Sequence, residues 1–75
     1  MATTGELMSA TSTTDDEQLE TLVRTSMLSQ PVGTRQLWLR ETELALDGYG
    51  GERNKIATDR LRHAIRSVSA GLGAG

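Results

Sequence analysis

The sequence predicts an all-α fold: a helical hairpin completed to a small three-helix bundle, with a disordered N-terminal tail. Three observations lead there. Apolar residues recur at three- and four-residue spacings in separate stretches, the period of one helix face. The stretches are divided by Pro31 with Gly33 and by Gly48-Tyr49-Gly50-Gly51, residue types that end helices and form turns. A chain of 75 residues has room for one small domain at most.

Residues 1–13 are rich in Thr, Ser, Ala and Met, carry only Glu6 as a charge and show no apolar period. They read as a disordered tail that can be removed without loss of stability. The helical domain then spans 14–70. Its first helix, about 15–29, starts at Thr14 and Glu17, spaced as a capping box, and carries Leu19, Leu22, Val23 and Met27 on one face. Pro31 disfavours helical geometry at Gln30 and stops it.

The second helix, about 35–47, starts after Thr34 as N-cap and ends where Gly48 offers a left-handed terminator. On a helical wheel Leu37 and Leu44 lie together, with Trp38 and Ala45 about 100° further round and Leu39 and Leu46 about 100° beyond. That arc exceeds half the circumference, leaving Gln36, Arg40, Glu43 and Asp47 as the polar side. The third helix, about 52–69, carries Ala57, Leu61, Ala64, Ile65 and Val68 in one stripe. The short Gly-rich connection makes it the antiparallel neighbour of the second. Residues 71–75 contain three glycines and read as a flexible C-terminus.

Composition excludes several kinds of chemistry. The chain has no cysteine, hence no disulfide, thiolate metal site or thiol redox centre. No apolar run approaches the ~20 residues of a membrane span, and the opening stretch to Thr14 has none of the positive charge of a targeting peptide. The expectation is a soluble, cytoplasmic protein. His63 is the single histidine, four residues after Asp59, and faces away from the apolar stripe; it reads as a surface residue. Glu41 and Glu43 point about 200° apart on a helix and cannot act as a carboxylate pair. The Gly48–Gly51 loop lacks the Gly-Lys-Ser/Thr of a phosphate-binding loop. No catalytic residue, cofactor site or metal site is expected, and an enzyme is not the reading.

Two surfaces remain. A core this small scarcely offsets the entropy of ordering the chain, a deficit that proteins below ~70–80 residues commonly meet by oligomerisation. The second helix, with an apolar arc too broad for one neighbour, is the expected interface: Leu37, Trp38, Leu39, Glu41, Leu44 and Leu46. Glu41 projects inside that arc, either reaching to water or setting the register of an oligomer. Charge is also unevenly placed, with five basic residues against two acidic ones from Glu52 onward and one against five before Thr34. Lys55, Arg62 and Arg66 form a ridge on the third helix that fits nucleic acid or, more simply, an acidic surface such as the segment 15–20. The functional expectation is a small non-enzymatic protein–protein interaction module that binds itself or another protein. The alternative is a nucleic-acid-binding protein using the basic helix.

Overall fold

A computed structural model describes residues 3–74 of the chain, with side-chain surroundings for 3–72. The fold is all-α, with four α-helices and no strand among the described residues: α1 Thr4–Ala10, α2 Asp16–Leu28, α3 Arg35–Ala45 and α4 Glu52–Ala74. Short 3₁₀ turns, Val32–Thr34 and Leu46–Gly48, flank α3. The three expected helices are therefore α2, α3 and α4, and α1 is an addition.

The expected disordered tail is corrected over 3–13, while Met1 and Ala2 lie outside the described residues. Thr3 Oγ1 accepts from the Glu6 amide at 3.3 Å and caps the start of α1. The Ser and Thr residues that read as disorder donate their hydroxyls to the carbonyls at the helix end. Thr11 reaches Met8 at 2.6 Å, Ser12 reaches Ser9 at 2.9 Å and Thr13 reaches Ala10 at 3.3 Å. Orphan carbonyls of a short helix are thereby satisfied locally. One face of α1 then buries Leu7, 1% exposed, and Met8 in the core. Gly5 lies beside the α3–α4 loop, where a methyl group would stand in ordinary contact, 3.4 Å from Tyr49 Oη.

Helix α2 begins one residue later than the capping box implies. Asp15 is the N-cap, accepting from the Gln18 amide at 2.8 Å, because the Thr14 hydroxyl is already engaged with α1. Leu19, Val23 and Met27 are buried, while Leu22 stands at the rim. At the other end Arg35 donates from Nε to the Gln30 carbonyl and from Nη2 to that of Leu28, both at 3.3 Å, covering the C-terminus of α2. Thr34 precedes α3, but its hydroxyl donates to the Pro31 carbonyl and does not cap.

Helix α3 gives way to 3₁₀ winding after Ala45, short of the expected end at Asp47. Gly48 lies within that turn; the left-handed residue is Gly51, with φ of +99°. The C-terminal expectation is corrected too, because α4 continues through Gly71 to Ala74, with Leu72 packed against the core. Gly75 lies outside the described residues.

Helix α4 is the spine of the molecule. Its buried stripe of Leu61, Ala64, Ile65 and Val68 is shared among α1, α2 and α3. The most extensive pairing is α2 with α4, larger than that of the α3–α4 hairpin. Every buried polar side chain has a hydrogen-bond partner among the described residues.

Candidate interaction surfaces

Helix α3 has two apolar sides, not one broad arc. Leu39 (2% exposed) and Thr42 turn inward, with Trp38 half-buried against the core. Leu46, beyond the helix, is 1% exposed. Leu37 (54% exposed) and Leu44 (59%) stand on the opposite side in solvent. Of the six residues expected at an interface, Leu39 and Leu46 are corrected to core positions and Trp38 packs partly into that core. Leu37, Glu41 and Leu44 remain open to a partner. On the wheel the two sides merge because Trp38 and Ala45 lie between the Leu37/Leu44 and Leu39/Leu46 lines, about 100° from each, and join them into one arc.

Arg40 was grouped on the sequence with Gln36, Glu43 and Asp47 as a polar side. The structure separates them. Glu43 and Asp47 face α4 and are engaged there, whereas Arg40 and Glu41 are exposed beside the outward leucines and make no ion pair or hydrogen bond through their side chains among the described residues. The detectable signal was the four-residue spacing of Glu43 and Asp47, which matches that of Arg62 and Arg66.

That matching neutralises much of the basic ridge. Arg66 Nε donates to Glu43 Oε1 at 2.8 Å, and Arg62 Nη2 donates to Asp47 Oδ1 at 3.3 Å while its Nε stands 4.0 Å from Glu43 Oε1. Lys55 is exposed and carries no ion pair among the described residues. The acids opposite the ridge come from α3 and the 3₁₀ turn that follows it; among the described residues the segment 15–20 pairs with α4 through Asp16 and Arg60 at 2.8 Å, while Glu20 pairs with Arg24 within α2. Arg60 also donates from Nη1 to the Thr11 carbonyl and from Nη2 to that of Thr14, the latter at 2.7 Å. Its fork thus ties the α1–α2 connection to α4.

His63 and Asp59 are both exposed and do not bond to each other. The depression between α3 and α4 is lined by Gln36, Leu39, Arg40, Glu43, Ile65 and Arg66. Its one carboxylate, Glu43, is occupied by Arg66. No cluster of three or more His, Cys, Asp or Glu residues able to hold a metal is found among the described residues, nor any helix long and apolar enough to cross a membrane. Comparison with family models, with curated proteins and with solved structures returned no significant match.

Proposed function

We propose that this chain is a small, cytoplasmic, non-enzymatic interaction module that self-associates through the outer side of α3. The observation that carries the reading is the pair Leu37 and Leu44, one heptad apart and more than half exposed, opposite the buried Leu39. Spaced one heptad apart, the two leucines form an apolar stripe on the solvent side of α3 that association removes from water. The alternative, nucleic-acid binding through Lys55, Arg62 and Arg66, is opposed by the ion pairs that Glu43 and Asp47 make with two of those three cations. Phosphates would have to displace carboxylates held by the protein itself.

Sedimentation equilibrium tests the proposal. The wild type is expected to gain mass with concentration. Leu44→Asp, at an exposed position, is expected to remain monomeric with an unchanged circular dichroism spectrum. A wild type that stays monomeric at all concentrations would sink it.

A further inference from the structure

We infer that two copies of the chain pair their α3 helices in parallel, with Arg40 of each meeting Glu41 of the other. The inference rests on the proposed self-association and adds its partner geometry. On an ideal helix Leu37 and Leu44 point within about 20° of each other, Arg40 lies about 50° to one side of their mean direction and Glu41 about 50° to the other. The outer side of α3 is therefore a leucine stripe with a cation on its left flank and an anion on its right, at almost one height. Neither charge is paired among the described residues, although Glu43 of α3 and Asp47 of the following 3₁₀ turn are.

The symmetry of the pairing decides what those charges meet. If the two-fold axis runs along α3, so that the helices are parallel, the left flank of one helix lies against the right flank of the other. Leu37 then faces Leu37, Leu44 faces Leu44, and an Arg40–Glu41 pair closes each side of the seam. If the axis runs across the helices, so that they are antiparallel, left meets left: Arg40 faces Arg40 and Glu41 faces Glu41 on the two sides. Juxtaposed like charges oppose binding, so the charges select the parallel arrangement. An isologous interface needs this self-complementarity, and an adjacent Arg-Glu dipeptide astride a leucine stripe supplies it.

Charge reversal separates this geometry from alternatives. Arg40→Glu places two glutamates on each flank of a parallel homodimer, and Glu41→Arg places two arginines there. Each is expected to weaken self-association by roughly tenfold or more. The two variants shift net charge in opposite directions, so a loss in both reports local pairing and not overall charge. An equimolar mixture of the two is expected to form a heterodimer, and the double variant Arg40→Glu/Glu41→Arg is expected to recover homodimerisation. Sedimentation equilibrium reads each of these samples beside the wild type and Leu44→Asp, with circular dichroism confirming the fold. Equal association of wild type and both single variants, with Leu44→Asp still monomeric, would overturn the parallel pairing while leaving the α3 interface. A monomeric wild type would overturn both.

Discussion

Arg60 on α4 and Asp16 in the first turn of α2 are joined by a 2.8 Å hydrogen-bonded ion pair, and the same guanidinium spans the carbonyls of Thr11 and Thr14. Two acceptors on the α1–α2 connection and one at the start of α2 thus converge on one side chain. A planar fork with donors in fixed directions suits this, and an ammonium does not. Arg60→Ala should cost about 2 kcal/mol, since hydrogen bonds to a charged group are lost and two carbonyls return to water or remain unpaired. Arg60→Lys should recover less than half of that. Urea denaturation of the three proteins is the check, and full recovery by lysine would show that only the charge matters.

Leu7 gives the clearest test of α1. It is buried at 1% exposure, so Leu7→Ala should destabilise the protein by about 2–4 kcal/mol through lost burial and the cavity left behind. Ser9→Ala, on the exposed side of the same helix, should change stability by less than about 0.5 kcal/mol. Removal of residues 1–13 should accordingly destabilise the fold, against the expectation from composition. Thermal melts of the two substitutions and the truncation decide it; an unaltered truncated protein would mean that α1 contributes nothing to the core.

Glu43 and Asp47 control how basic the outside of α4 is. In the wild type they hold Arg66 and Arg62, so retention on heparin at moderate salt should be slight. Glu43→Gln with Asp47→Asn should release both guanidinium groups and shift elution to higher salt. Stability should fall by no more than about 1 kcal/mol, because these pairs are partly exposed. Identical elution of the two proteins would show that the pairs do not mask the ridge.

The three helices α2, α3 and α4 were legible because their signals are local. Periodic leucines, an acidic first turn, Pro31 and the glycine loop act on neighbouring residues whatever the rest of the chain does. What escaped depended on contacts distant in sequence. Helix α1 has too few residues for a period; the signals present were the Thr3–Glu6 spacing, which caps it, and the adjacent Leu7 and Met8. Its reality rests on α4, through Leu7 in the core and Arg60 at the connection. The candidate surface was half legible. The sequence points to Leu37, Glu41 and Leu44, but a wheel cannot tell which of two leucine lines meets α4, so it includes Leu39 and Leu46 in the interface and groups Arg40 with the polar residues. Burial against α4 and the engagement of Glu43 and Asp47 sort them.

The α3–α4 loop separates two glycines that look interchangeable. Gly48 was the expected left-handed terminator, yet it sits in a 3₁₀ turn, and the positive φ of +99° belongs to Gly51, immediately before α4. Nothing lies within 4 Å of the position that a methyl group would take at either residue, so space does not distinguish them. Backbone conformation does. An L-residue at Gly51 must enter a region that its Cβ disfavours, and Gly51→Ala should destabilise by about 1 kcal/mol or more. Gly48→Ala requires no such conformation and reduces the freedom of the unfolded chain, so it should be neutral or stabilise by up to about 1 kcal/mol. Urea titrations of the two variants should therefore move the midpoint in opposite directions or move it only for Gly51. Equal destabilisation by both would show that the positive φ at Gly51 does not set the two glycines apart.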